Sequence, residues 1–172
     1  MNTSKRNQTE HVLPINIDEL AFVLHRGPGL EMECFLNLDT GAIINIPTNR
    51  KFLKRILKID VEMLRDDALI NMLLPENGHF LYIPNQFSLR LYELFSSFAK
   101  KIETTYPEIH DRLWVLIQKN GTYSEYKNIF SKVSSLNAYF IRFRDDLYEK
   151  YAIRWLEENN ITYVLVKNPS SQ

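Results

Sequence analysis

The spacing of apolar residues changes along the chain from helical to strand-like and back to helical. Apolar residues recur at helical spacing from Ile17 and predict a helix over 17–25. Apolar and polar residues then alternate over 32–38, and a second short apolar run follows at 42–46. The triplet Asp39-Thr40-Gly41 between them supplies turn residues, so the segment predicts a β-hairpin.

The rest of the chain returns to helical periodicity, with two short exceptions. The runs at 79–83 and 161–166 are rich in β-branched and aromatic residues and predict strands. Helical spacing of apolar residues predicts helices within 50–58, 60–74, 85–102, 107–118, 122–133 and 138–158. The fold class that follows is α+β: a small antiparallel sheet, including the N-terminal hairpin, packed against a mainly helical C-terminal half.

The same patterns predict the organisation of the chain. Residues 1–13 are polar and read as a flexible lead-in. Residues 14–167 are predicted to form a single globular domain, in which 14–84 holds the hairpin and a helical insertion and 85–167 forms the helical half. Residues 168–172 are predicted to be a C-terminal tail.

Composition and charge narrow the class of protein. The chain has 172 residues, 45% of them hydrophobic, and 21 basic residues balance 21 acidic ones. No apolar run approaches the roughly 18 residues of a membrane-spanning helix. The first twelve residues lack the apolar core of a signal peptide. One cysteine excludes an internal disulfide, so we expect a soluble, cytoplasmic protein.

Four segments occur in an order that resembles a known family. They are FLNLDTGAIINI (35–46), FLYIPNQFSLRLYELF (80–95), GTYSEYKNIF (121–130) and YFIRFRDDLYEKYAIRWLEENNI (139–161). The order resembles the uncharacterised bacterial family named UPF0158, whose members look similar over nearly the whole chain. That family shows a strand turning at Thr-Gly, a Leu-Pro before a helix, a Gly-aromatic-x-x-Phe-Lys segment, a Trp-x-x-Phe-Arg segment and a final Trp-Leu-Glu-Glu-Asn.

The chain departs from that pattern in three places. Tyr139 or Phe140 stands where the family has the Trp of Trp-x-x-Phe-Arg, and Tyr126 stands where it has the Phe of Phe-Lys. The segment 50–74 looks longer or more ordered than the family's usual insertion. The resemblance implies one fold unit, and it implies no activity, because the family's function is not established.

Catalytic and cofactor motifs are missing from the sequence. The four histidines, His11, His25, His79 and His110, have no metal-ligand spacing, so no metal and no cofactor is predicted. Cys34 alternates with core residues and reads as a buried, inert thiol. The Asp39 triplet also occurs in aspartic proteases, where two aspartates act as a pair, but a single copy at a hairpin tip is explained by turn chemistry.

Two charged surfaces are the candidates for binding. Arg142, Arg144 and Asp145 lie beside an aromatic stripe and are read either as an anion-binding face or as an ordinary solvated helix face. Lys127 beside Tyr126 has a similar setting. The second candidate is a basic amphipathic helix over 50–58, which carries Arg50, Lys51, Lys54, Arg55 and Lys58.

These surfaces support three functional hypotheses. The leading one is a non-enzymatic interaction or regulatory module that binds a partner protein through 50–58 and the Arg144 face. The alternative is nucleic-acid binding through the five cations of 50–58, although no known reader motif surrounds them. The third is an enzyme whose site is assembled from Arg142, Arg144, Asp145 and either His79 or His110.

Overall fold

The computed structural model describes residues 11–26, 31–58 and 60–166. Over these residues the fold is mixed, with seven helices and 57% helix, a small three-stranded antiparallel sheet and a helical C-terminal half, which confirms the predicted fold class. The elements are β1 (Leu13–Asn16), α1 (Ile17–Arg26), β2 (Met32–Asn37), β3 (Ile43–Pro47), α2 (Arg50–Leu57), α3 (Asp66–Leu73), β4 (Phe80–Ile83), α4 (Phe87–Ile102), α5 (Pro107–Gln118), α6 (Tyr123–Phe130), α7 (Ser134–Glu158) and β5 (Tyr163–Val166).

Two compact units make up the chain. Of the described residues, the first contains 11–20, 31–58, 60–83 and 153–166, and the second contains 21–26 and 84–152. The division falls inside α1 and inside α7, so each of these helices contributes residues to both units.

The first unit contains the antiparallel sheet, whose strand order is β3-β2-β4. Phe35 in the central strand pairs with Ile44 on one side and Tyr82 on the other. The alternating pattern predicted one buried face, but Cys34, Phe35 and Leu36 are all buried in succession. A central strand has neighbours on both edges, and the Phe35 ring packs against the Tyr82 ring at a centroid distance of 5.5 Å.

The hairpin turn is fixed by side-chain and backbone constraints. Asn37 Oδ1 accepts hydrogen bonds from the backbone N–H groups of Asp39 (2.8 Å) and Thr40 (3.1 Å). Gly41 has a φ of 77°, and a Cβ there would lie 2.3 Å from the carbonyl oxygen of Pro14. The turn therefore requires glycine for both its conformation and the close approach of another strand.

A second, two-stranded sheet corrects one part of the strand prediction. Residues 161–166 were expected to extend the antiparallel sheet, but β5 pairs in parallel with β1. The register places Leu13 opposite Tyr163 and Asn16 opposite Val166. β1 itself was not predicted, because four residues are too few to show a period and only Leu13 and Ile15 in it are buried.

The helical insertion in the first unit has a small cluster of its own. Three residues are buried together: Leu53 of α2, Val61 of the segment between the helices, and Leu69 of α3. Leu64 and Leu73 are partly buried and pack against them. The predicted division of this region into two helices is confirmed, with α2 ending at Leu57 and α3 beginning at Asp66.

The second unit is built around stacked and edge-to-face aromatic rings. Phe140 of α7 is fully buried and lies 4.7 Å from Phe130, 5.0 Å from Phe98 and 5.4 Å from Phe95, measured between ring centroids. Phe95 also stacks on Tyr126 at 4.0 Å. Offset and T-shaped pairs add about 0.5–1.5 kcal/mol each beyond the area they bury.

The last helix begins earlier than its sequence indicated. Residues 134–137 were expected to separate two helices, but α7 begins at Ser134, and the turn that precedes it lies at 131–133. Leu136, which was assigned to the break, is buried. Serine favours helix N-termini, so its pair at 134 and 135 marked a start rather than an interruption.

Candidate functional site

The basic helix α2 is positioned by a side-chain cap. Asn49 Oδ1 accepts a hydrogen bond from the backbone N–H of Phe52 at 2.8 Å, and its Nδ2 group donates to Glu31 Oε2. Lys58 ends the helix in the left-handed conformation, with a φ of 55°. Both ends of the short helix are therefore held independently of its apolar residues.

Two of the five cations of 50–58 are neutralised inside the insertion. Arg50 forms an ion pair with Asp66 at 2.5 Å and donates to the carbonyl of Val61 at 2.6 Å. Lys54 lies 3.3 Å from Glu62 and 3.8 Å from Asp60. These contacts tie α2 to the segment that follows it, so Arg50 and Lys54 serve the fold.

The outward face of α2 combines the remaining cations with exposed apolar side chains. Phe52 is 41% exposed, Ile56 55% and Leu57 37%. Among the described residues, Lys51, Arg55 and Lys58 form no ion pair, and the guanidinium carbon of Arg55 lies 5.9 Å from the centre of the Phe52 ring. We call this set the α2 outer surface, and it comprises Lys51, Phe52, Arg55, Ile56, Leu57 and Lys58.

The other predicted face centres on Arg144, whose side chain is only 13% exposed. Its Nε and Nη2 groups donate to Asp145 Oδ1 at 2.8 and 2.7 Å, and its Nη1 group donates to the Tyr123 hydroxyl at 3.3 Å. Burial alone would lower the pKa of Arg144, but these hydrogen bonds outweigh it and hold the pKa above its usual value. Arg26 lies 3.9 Å from the same carboxylate.

Arg144 opens onto a pocket of about 360 Å³ in the second unit. We call it the Arg144 pocket, and its lining is three cations and three rings: Arg26, Lys127, Arg144, Phe87, Tyr123 and Tyr148. Tyr148 stacks on the ring of His25 at 4.5 Å. Burial raises the pKa of Tyr148 to about 12, so its phenol is neutral at physiological pH.

Arg142 faces another pocket. It lines a cavity of about 500 Å³ with Lys101, Asp146 and Lys150, next to the rings of Tyr139 and Phe143. Residues two apart on a helix point in different directions, which explains why Arg142 and Arg144 diverge. The structure thus brings Arg144 and Asp145 together and separates Arg142 from them.

The histidines considered for an enzymatic site have other partners. His79, in the first unit, lies 2.9 Å from Asp39 Oδ1 through Nδ1, and its backbone N–H donates to Asp39 Oδ2 at 3.0 Å. These two hydrogen bonds hold the pKa of Asp39 below its usual value. His110, in the second unit, accepts from Trp114 Nε1 at 2.6 Å and lies 2.9 Å from Asp111.

Cys34 is an unsuitable nucleophile. Its thiol is buried and donates to Asn45 Oδ1 at 2.7 Å. Burial, followed by the negative charges of Glu33 and Glu19, raises its pKa to about 11. The thiolate that nucleophilic chemistry requires is therefore scarce at neutral pH.

Over 11–26, 31–58 and 60–166, no three His, Cys, Asp or Glu side chains are grouped so that they could hold a metal ion. Within the same residues, no helix has the length and apolar character needed to cross a membrane.

Sequence reasoning missed most of the Arg144 pocket. It assigned Phe87 and Tyr148 to buried helical stripes, it did not treat Arg26 or Tyr123 as site residues, and it weighed Lys127 like Arg144 without joining the two. A signal was present, because Tyr123 precedes Lys127 by four residues on α6 and Arg144 precedes Tyr148 by four on α7. Such spacing places a cation and a ring on one face of each helix.

Comparison with protein-family models, with curated proteins and with solved structures found no match to this chain.

Proposed function

We propose that this protein is a non-enzymatic interaction module whose α2 outer surface binds a partner protein. The observation that carries the proposal is the exposure of Phe52, Ile56 and Leu57 beside three cations without an ion pair in the described part of the chain. Aromatic and arginine side chains are enriched in protein interfaces, where they supply much of the binding energy.

The partner's chemistry follows from the charges of this surface. Lys51, Arg55 and Lys58 lie in the same short segment as the exposed apolar side chains, and the nearby acids Asp60, Glu62 and Asp66 are already paired with Lys54 and Arg50. An acidic rim around an apolar groove is complementary to such a surface and speeds association.

Nucleic acid is the weaker alternative for the same surface. Two of the five cations are used internally, which leaves three for phosphate contacts. Three contacts correspond to a salt slope of only about −2.7 on duplex DNA, against −5 to −9 for typical specific binders. The apolar side chains between these cations also have no role against a phosphate backbone.

Membership of UPF0158, bacterial origin and a cytoplasmic location remain predictions from the sequence. Two segments that carry the resemblance supply Tyr123, Lys127 and Arg144 to one pocket. Because these segments contribute side chains to one pocket, the resemblance supports a functional surface in the second unit. The residues of that surface lie outside α2.

Site-specific photocrosslinking in cells tests the partner proposal. A benzophenone amino acid replaces Ile56, and a matched variant carries it at Val115, an exposed apolar position on α5. We expect Ile56 alone to crosslink one protein, through an acidic segment, and the double change Lys51→Glu and Arg55→Glu to reduce that product about tenfold or more. Crosslinks to nucleic acid only, or to the same proteins from Val115, would overturn the proposal.

A further inference from the structure

The Arg144 pocket holds more positive than negative charge. Arg26, Lys127 and Arg144 line it, and Asp145 is the carboxylate paired with both arginines. Lys127 forms no ion pair with any residue that the structure describes. One carboxylate against three cations leaves an excess of about two positive charges, which a bound dianion would balance.

One cation of the pocket is already fixed in place. The Arg144 guanidinium is held by Asp145 from one side and by the Tyr123 hydroxyl from another. A side chain that is ordered before binding loses little rotamer freedom when a ligand arrives. Arg26 and Lys127 are both exposed, and Arg26 makes only a long 3.9 Å contact with Asp145, so both side chains can turn toward a ligand.

The walls of the pocket favour a flat, apolar group. Phe87 and Tyr123 lie 5.9 Å apart between ring centroids, and Tyr148 is supported from behind by the buried ring of His25. Tyr123 in turn lies 5.6 Å from Phe95 of the aromatic core. Rings with fixed neighbours present a rigid surface on which another ring can pack.

The volume limits the size of the ligand. About 360 Å³ is near the lower end of the range for small-molecule sites. A single ring with one charged group fits such a volume, whereas a dinucleotide belongs to the upper end of that range.

We propose that the Arg144 pocket binds a small organic dianion in which a phosphate is attached to a flat ring. The cations bind the phosphate oxygens, and Phe87, Tyr123 and Tyr148 pack against the ring. This site lies on the second unit and does not depend on the function proposed for α2.

Calorimetric titration of the whole protein at pH 8 and low ionic strength tests the proposal. The probes are phenyl phosphate, inorganic phosphate without the ring, and benzoate with the ring and a single charge. At pH 8 phosphate monoesters are dianions, because their second pKa is about 6. We expect phenyl phosphate to bind about tenfold more tightly than either of the other two. Equal affinity for phenyl phosphate and inorganic phosphate would contradict a role for the rings.

Two exposed positions give matched variants that leave the core intact. Lys127→Met removes a pocket cation from α6, and Lys132→Met removes one from outside the pocket lining. We expect Lys127→Met to raise the Kd for phenyl phosphate about tenfold, and Lys132→Met to change it less than about twofold. Arg26→Met, near the end of α1, gives an independent second reduction. Identical losses in Lys127→Met and Lys132→Met, or no saturable binding to the wild type, would refute the site.

Discussion

The α2 outer surface and the Arg144 pocket both place cations beside aromatic rings, yet they are built on different supports. α2 stands on a cluster of three buried residues, Leu53, Val61 and Leu69, and its aromatic side chain is turned outward. The pocket stands on a network of fully buried rings, and its central guanidinium is held by two hydrogen-bonding partners.

That difference predicts different kinds of ligand. An exposed helix with a small core can adapt to a large partner surface, where affinity comes from area removed from water. A pocket with rigid walls and a fixed cation suits a small ligand, because little conformational freedom is lost on binding. The following changes each weaken one part of these two structures, in order of decreasing expected effect on the free energy of unfolding.

Removing Phe140 destabilises the aromatic core beneath the Arg144 pocket. Phe140→Ala deletes a fully buried ring that contacts Phe95, Phe98 and Phe130, and we expect it to lower the free energy of unfolding by about 3–5 kcal/mol. Denaturant titration measures the loss, with Ile141→Ala as the exposed neighbour on the same helix. If the two changes lower the free energy of unfolding equally, the ring network does not stabilise the second unit.

Acid acts on the wall of the Arg144 pocket through His25, whose ring stacks on Tyr148. Its ring is buried and neither nitrogen has a hydrogen-bond partner among the described residues, and burial, followed by the charge of Arg90 and opposed by Glu93, lowers its pKa from 6.5 to about 4. The unfolded chain therefore takes up a proton before the folded chain does. Stability is kept above pH 6.5 and falls by about 3 kcal/mol as the pH drops to about 4.

The measurement for His25 is the free energy of unfolding across that pH window, compared with His25→Phe. The phenyl ring keeps the stacking on Tyr148, which lies 4.5 Å from His25 between centroids, and cannot titrate. We expect the variant to lose the His25 part of the pH dependence. A pH profile unchanged by the substitution would contradict the assignment.

Weakening the support of α2 has a smaller and more local effect. Leu69→Ala empties one of the three buried positions under α2, and we expect a loss of about 2 kcal/mol, since the partly buried Leu64 and Leu73 can relax into the space. Hydrogen exchange should accelerate in α2 and α3 and remain slow in α4 and α7. Faster exchange throughout the second unit would mean that the Leu53 cluster and the aromatic core do not unfold independently.

The smallest effect is expected at the cap of α6, which carries Lys127. Thr122 Oγ1 accepts from the Glu125 backbone N–H at 3.3 Å, and Glu125 Oε2 accepts from the Thr122 backbone N–H at 2.7 Å. Thr122→Ala removes half of this capping box and should cost about 1 kcal/mol in thermal or denaturant unfolding. Thr122→Ser keeps the acceptor and serves as the control, and a Ser variant as unstable as the Ala variant would argue against the cap.

How far the sequence predicts this molecule depends on the kind of signal. Periodicity and capping gave α1, the β2–β3 hairpin and the box at Thr122, because those signals lie within a few residues of one another. The parallel pairing of β1 with β5 joins residues about 150 positions apart, and no local pattern encodes it. The start of α7 was predicted at residue 138 instead of Ser134, because a pair of serines is common both in a break between helices and at the start of a helix.

The candidate sites show the same limit. The sequence predicted that 50–58 is a basic amphipathic helix, but it left open whether its apolar side chains are buried or exposed, since helical spacing cannot tell which apolar residues find a partner. In the structure Leu53 is buried, whereas Phe52 and Ile56 are exposed. Arg144 and Lys127 were visible as charges beside rings. Their convergence with Arg26 depends on the packing of α1, α6 and α7 within the second unit, which lies beyond local sequence patterns.

The most direct test of two separate basic sites is a nuclear magnetic resonance titration with phenyl phosphate. We compare the wild type, Lys127→Met and the double change Lys51→Met and Arg55→Met. We expect saturating shifts at the amides of 122–127 and 144–148 in the wild type and the double variant, with an affinity about tenfold weaker in Lys127→Met. Shifts centred on 50–58, or an equal loss of affinity in the double variant, would contradict the account.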